Sequence, residues 1–146
     1  MDSSAYLLDT NACIHLLNGT SATLTERLRR ESPATLHLCS IVKAELYHGA
    51  RRSSRVAENL ALLRRFFQPL VSLPFDDRCA EHYGQIRTGL EREGRLIGPN
   101  DLMIAATARA NGLTLVTHNS AEFARVPGLP LEDWERGSRT RDDRQV

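Results

Sequence analysis

Short apolar runs alternate along the chain with stretches in which apolar residues recur every three or four positions. Tyr6-Leu7-Leu8 is the first run; it stops at Asp9-Thr10-Asn11, after which Ala12, Leu16 and Leu17 fall at helical spacing. This reads as strand, turn, helix. Thr23, followed three residues later by Glu26, has the form of a capping box and opens a second helix that ends at the Ser32-Pro33 break. Leu36 and Leu38 mark a second strand, with Ser40 placed to cap a helix carrying Ile41, Ala44, Glu45 and Tyr47. Val56, Leu60, Leu63 and Phe67 step by four, three and four, as do Cys79, Tyr83, Ile86 and Leu90, so two amphipathic helices each turn one face to a core. Between them Leu70-Val71-Ser72-Leu73 lies between Pro69 and Pro74, which confines it to a short edge strand. Gly98-Pro99-Asn100-Asp101 starts an alanine-rich helix that stops at Asn111-Gly112. Leu113 to Thr117 is the clearest strand, a brief helix follows from about Asn119, and a last short strand falls near Leu131.

Strands alternating with helices specify an α/β fold: a central, mostly parallel sheet of four or five strands flanked by helices on both faces. From Glu135 onward the chain is polar and aperiodic, so 1–134 reads as one domain and 135–146 as a disordered tail. Composition agrees, since 146 residues with 41% hydrophobic and 25% charged residues suffice for a single core. A net charge of +1 advertises no global attraction to nucleic acid or membrane. No stretch is apolar enough to span a bilayer, and no basic segment leads into an apolar one at the start. Cys13, Cys39 and Cys79 are odd in number, isolated and apolar in setting, which argues against a disulfide framework or a zinc site. The expectation is a soluble protein of the reducing cytoplasm.

The polar residues of interest gather at predicted strand ends. In an open parallel sheet, ligands bind outside the carboxyl ends of the strands. Asp9 closes the first strand, Glu45 lies early in the helix after the second, Asp101 opens the helix that leads into the strand at 113–117, and Thr117, Asn119 and Glu122 follow that strand. Acids brought together raise one another's pKa unless something positive sits among them, and all-oxygen donors suit Mg²⁺ or Mn²⁺ better than zinc. Each residue also has a plainer role. Asp9 can cap the first helix, Glu45 can be a solvated helix residue, Asp101 can complement a helix dipole, and Asn119-Ser120-Ala121-Glu122 is itself a capping-box pattern. His118 is a candidate base, or an ordinary loop histidine. Lys43 is the only lysine among nineteen basic residues, and arginine grips phosphate as a planar fork, although a genome rich in G and C gives the same bias. Arg51, Arg52 and Arg55, with Arg64 and Arg65, form either a basic lip for phosphates or a solvated helix face. Aromatic residues are few.

Four blocks carry a resemblance: Tyr-Leu-Leu-Asp-Thr-Asn at 6–11; Val-Lys-Ala-Glu-Leu at 42–46; Ile-Gly-Pro-Asn-Asp-Leu-Met-Ile-Ala-Ala-Thr-Ala at 97–108; and Leu-Val-Thr-His-Asn followed by Glu-Phe-Ala-Arg-Val-Pro-Gly-Leu and Asp-Trp. In order and spacing they resemble the PIN-domain ribonucleases, and more narrowly the VapC toxins of VapBC toxin–antitoxin pairs. The resemblance implies a PIN-like fold and a Mg²⁺- or Mn²⁺-dependent endoribonuclease in which Asp9, Glu45 and Asp101 anchor metal and carry catalysis. Thr10, Asn11 and Thr117 would support them. From position in the chain rather than from the resemblance, Asn119 is a further supporting candidate, Glu122 a further metal candidate, and Arg51, Arg52 and Arg55 candidates for RNA contact. The resemblance also implies a homodimer, a VapB-type antitoxin as partner, and tRNA or rRNA as substrate. Many relatives have an aspartate after the last long strand; here Thr117-His118-Asn119 puts an amide there. Two other readings stay in view. A haloacid-dehalogenase-like phosphatase also starts with an aspartate after its first strand, but it needs a second two residues on, where Asn11 stands, and a later lysine. A non-catalytic interaction module would keep the acids only as caps.

Overall fold

The computed structural model describes residues 4–136. Residues 137–146, most of the expected tail, lie outside the described residues. The elements run β1 (Tyr6–Leu8), α1 (Thr10–Asn18), α2 (Ala22–Arg30), a 3₁₀ turn (Pro33–Thr35), β2 (Leu36–Cys39), α3 (Ser40–Arg52), α4 (Val56–Phe67), β3 (Val71–Leu73), α5 (Asp77–Arg92), α6 (Pro99–Ala110), β4 (Thr114–Val116), α7 (Ser120–Phe123) and β5 (Leu131–Glu132). All four strand pairings are parallel and the sheet order is β3-β2-β1-β4-β5. The segment between Pro69 and Pro74 takes the edge, as proline demands.

Tyr6, Leu7 and Leu8 are all buried. Successive side chains of a strand point to opposite faces, so this unbroken burial means that helices cover both sides of β1. The β4 strand is buried almost as fully at Leu115 and Val116. One core runs from Leu24 and Leu36 through Leu63 and Ile86 to Leu102, Ile104 and Phe123. Trp134 extends it past β5: its ring meets Tyr6 edge-on at 5.0 Å, and the Arg27 guanidinium sits 4.5 Å from its centre.

Three helix starts differ from the sequence expectation, and in each the side chain found a different partner. Ser21, not Thr23, caps α2 by accepting from the Leu24 amide; the Thr23 hydroxyl donates instead to the Glu135 carbonyl. Cys39 occupies the cap position of α3 without a side-chain bond, and the Ser40 hydroxyl, already inside the helix, donates to the Leu73 carbonyl of the edge strand. Asn119 precedes α7 but makes no side-chain cap; its amide donates to the Glu122 carboxylate at 2.8 Å. The bond from Thr23 reaches the residue at which the tail was expected to begin.

The chain visits β1, β2 and β3 toward one edge and then returns to add β4 and β5 on the other side of β1. The order therefore reverses between β1 and β4, and the crevice at their carboxyl ends is where such sheets bind ligands. Leu7, fully enclosed at the middle of β1, tests the scaffold. Leu7→Ala should cost about 2–5 kcal/mol of stability by leaving a cavity, measured as a lowered midpoint in urea unfolding.

Candidate active site

Asp9 follows β1 at the reversal point. Its backbone amide continues the sheet by donating to the Val116 carbonyl, and its extended conformation turns the chain into α1. One carboxylate oxygen accepts from the Ala12 amide at 2.8 Å, so the residue does cap the helix. Capping uses only part of it: the same carboxylate lines a cleft of about 120 Å³ together with Thr10, Asn11, Glu45, Asp101, Asn119 and Phe123. Asp9 is only 5% exposed.

Glu45 projects from the second turn of α3. One of its oxygens accepts from the Thr10 hydroxyl and the other from the Asn100 side-chain amide at 2.9 Å. These bonds tie α3 to the start of α1 and to the first turn of α6. Asp101 sits in that first turn, where Gly98 and Pro99 open the helix. Asp9, Glu45 and Asp101 thus come from three distant stretches of chain to one crevice.

Electrostatics show how unfavourable that is. Burial pushes the Asp9 carboxyl above the ordinary aspartate value, hydrogen bonds from the Thr117 side chain and the Ala12 amide oppose the rise, and the charges of Glu135 and Glu45 add to it. Asp101 is raised from 3.8 to about 6, by burial first and then by the charges of Glu122, Glu45 and Asp9. The charges that raise the two aspartates are carboxylates, and each adds to the cost of ionising its neighbours.

Of the supporting residues, Thr10 and Asn11 line the cleft, and buried Thr117 lies beneath it, accepting from the Asn119 amide at 2.9 Å. Glu122 is outside the lining, held by Asn119, while its charge bears on Asp101. His118 is not part of the lining; its Nδ1 lies 2.9 Å from an Asp133 carboxylate oxygen. The basic residues do not form one lip. Arg55 is paired with Glu58, Arg51 and Arg52 are exposed at the far end of α3, and Arg64 and Arg65 lie beside Lys43. Three neighbours went unread in the sequence. Asn100 holds Glu45, Phe123 walls the cleft, and Glu135 has a buried carboxylate oxygen with no hydrogen-bond partner. The signal for Asn100 was its place beside Asp101 in a helix-start motif; for Glu135 it was Trp134, an aromatic anchor just before an apparently featureless run.

The PIN-domain family pattern matches residues 6–129. The chain is also 41% identical over 129 residues to the tRNA(fMet)-specific endonuclease VapC of Shigella flexneri, covering 88% of this chain and 97% of that one. The chain belongs to the PIN-domain family, among the VapC ribonucleases. The ribonuclease VapC2 of Rickettsia felis is 39% identical over 132 residues, covering 90% of this chain and 98% of that protein. Among solved structures, DNA-bound VapBC from Salmonella typhimurium superimposes with a TM-score of 0.85 at 39% identity, covering 90% of this chain and 98% of that one. The phosphatase and interaction-module readings find no support in these likenesses.

The raised Asp101 value makes a stability prediction for this PIN domain. Its folded pKa of about 6 lies above the ordinary 3.8, so the native state holds this proton more tightly than the unfolded chain does. The resulting stabilisation is full below the lower value and is lost as pH rises through the upper one. Asp101→Asn, which cannot ionise, should melt higher than the parent above about pH 7 in metal-free buffer, and the difference should vanish on acidification below about pH 4. Thermal melts followed by circular dichroism across that range decide it.

Proposed function

We propose that this PIN domain is a Mg²⁺- or Mn²⁺-dependent endoribonuclease acting on tRNA or rRNA, and that it is the cytoplasmic toxin of a pair completed by a VapB-type antitoxin. The observation that carries the reading is the convergence of Asp9, Glu45 and Asp101 on one cleft at the sheet's reversal point, where burial first, and then neighbouring carboxylates, raise the two aspartates. Among the described residues no three His, Cys, Asp or Glu side chains are drawn together into a formed metal centre. In donor type and charge the cleft nonetheless suits a hard divalent cation: carboxylate, hydroxyl and amide oxygens, with an excess of negative charge that a cation relieves. Asp9, Asp101 and Glu45 would hold it, and it would supply Lewis acidity to the phosphodiester.

The chain's own residues do the positioning. Asp9 is fixed by the Ala12 amide and Thr117, which hold its carboxylate at the mouth of the crevice without a mobile side chain. Thr10 and Asn100 orient Glu45 from both sides. Asn119 restrains Glu122, keeping a further carboxylate within electrostatic reach of Asp101. Phe123 closes one wall with apolar surface and limits solvent there. Cleavage of purified RNA in Mg²⁺ or Mn²⁺, with growth arrest when the chain is expressed alone, is the expected outcome. Asp9→Asn should lose both while keeping the parental fold by circular dichroism, because it removes a charge at almost no change in volume. Undiminished cleavage by Asp9→Asn at saturating metal would overturn the site.

A partner that covers the cleft has a place to lie. An apolar groove of about 260 Å³ runs between α1, α3 and α4, lined by Ile14, Leu17, Leu46, Leu62 and Leu63 among others, and it reaches Glu45. Ile14 is 39% exposed there. Ile14→Glu should therefore leave RNA cleavage intact while escaping neutralisation by co-expressed antitoxin, read as persistent growth arrest. The homodimer belongs to the same reading and is measured by light scattering of the chain alone.

A further inference from the structure

Lys43 and Tyr47 stand four residues apart on α3 and so share one face of it. Glu45, midway between them, is rotated by about 200° from each, which puts the pair on the side of the helix away from the acidic cleft. Lys43 and Glu45 nevertheless lie in the half of α3 that begins at the carboxyl end of β2, the same rim of the sheet, and Tyr47 falls just past the middle of the helix. The end of α4 meets this face. Lys43, Tyr47, Arg64, Arg65, Phe67 and Gln68 line an open depression of about 440 Å³.

Its floor is the buried Phe67 ring. Tyr47 packs edge-on against that ring at 5.5 Å, and the Lys43 Nζ sits 4.9 Å from its centre. The Tyr47 side of this stack is open, since the residue is 40% exposed. No carboxylate among the described residues lines the depression. Among the described residues the salt bridges engage Arg27, Arg55, Arg87, Arg136 and His118, whereas Lys43, Arg64 and Arg65 take part in none. Three cations with no salt-bridge partner among the described residues, including the chain's only lysine, are thus concentrated around an exposed aromatic ring.

A compact anion would call for donors converging on one point. Cations spread around an aromatic face instead fit a polyanion whose flat bases stack while its phosphates run past the charges. We propose that the depression of Lys43, Tyr47, Arg64 and Arg65 is a second RNA contact of this protein, gripping single-stranded RNA next to the segment that enters the acidic cleft. Tyr47 stacks one base, and the three cations hold the phosphates on either side of it. A strand crossing the start of α3, a helix about 10 Å wide, reaches both places. The proposal rests on the ribonuclease reading for its substrate.

The test is binding of a short fluorescein-labelled oligouridylate, followed by anisotropy in EDTA over a range of salt, so that cleavage plays no part. The triple variant Lys43→Gln, Arg64→Gln, Arg65→Gln should bind more weakly, and the slope of log K against log salt should flatten by about 2, at roughly 0.7 for each phosphate that is no longer neutralised. Tyr47→Ala should bind roughly tenfold more weakly and Tyr47→Phe like the parent, because stacking needs the ring and not the hydroxyl. Arg29→Gln, Arg30→Gln, at exposed arginines on α2, is the control and should match the parent. Melting curves establish that each variant is folded. Parental affinity and slope in a folded triple variant would overturn the proposal. So would unchanged RNA binding accompanied by a loss of dimer mass or of antitoxin capture, which would make this face a protein interface. If the parent cleaves RNA and only the binding test fails, the second contact alone falls. If the variants lose binding but the parent cleaves no RNA in Mg²⁺ or Mn²⁺, the contact stands and the nuclease reading falls.

Discussion

A strand buried on both faces that ends in a carboxylate is the constraint on which the rest of this structure depends. β1 sits at the centre of the sheet with no charged side chain along it, and the residue that closes it, Asp9, is nearly as enclosed as the strand. A buried carboxylate is costly unless hydrogen-bonded. The start of α1 supplies the Ala12 amide and the end of β4 supplies Thr117, so the reversal of strand order that creates the crevice also supplies the partners that make Asp9 tolerable there. Hydrogen bonding at Asp9 does not cancel the cost of burial, to which neighbouring carboxylates add, and the values of Asp9 and Asp101 stay raised. Ionising these groups therefore costs more here than it would on a solvent-exposed rim.

α3 divides the work of the rim. One side carries Glu45 to the cleft, fixed by Thr10 from α1 and Asn100 from α6. Leu46 and Ala50 wall the apolar groove, and the opposite side carries Lys43 and Tyr47 against the end of α4. Helical geometry alone sorts these chemistries, because residues two apart point to opposite sides while residues four apart share one. A sequence as compressed as Val-Lys-Ala-Glu-Leu-Tyr can therefore serve an acidic, an apolar and a basic surface within two turns.

Trp134 gives the end of the domain a definition that local composition denies it. The segment after β5 is polar, yet Trp134 is clamped between Tyr6 and Arg27, its indole N–H donates to Glu132, and the next residue is held by Thr23. Glu135 is consequently drawn toward Asp9 rather than released into solvent.

Periodicity determined most of the architecture. Each strand and helix named from the spacing of apolar residues is present, the proline-bounded segment is the edge strand, and parallel pairing follows from strands alternating with helices, because these signals are local and every residue of a buried strand or helix face must satisfy them. The same logic put Asp9, Glu45 and Asp101 at one rim, since in a parallel sheet with alternating helices the strand ends and the helix starts lie on the same side. Asp9 caps α1 as its position allows, but the folded structure decided the partners of most other polar side chains. Ser21 rather than Thr23 capped α2, Glu122 turned to Asn119, Asn100 was recruited to Glu45, and the arginines separated into unrelated surfaces. A hydroxyl, amide or carboxylate bonds whatever competent group is nearest in space, and sequence separation, 55 residues for Asn100 and Glu45 and 112 for Thr23 and Glu135, carries no information about that distance until the chain has packed.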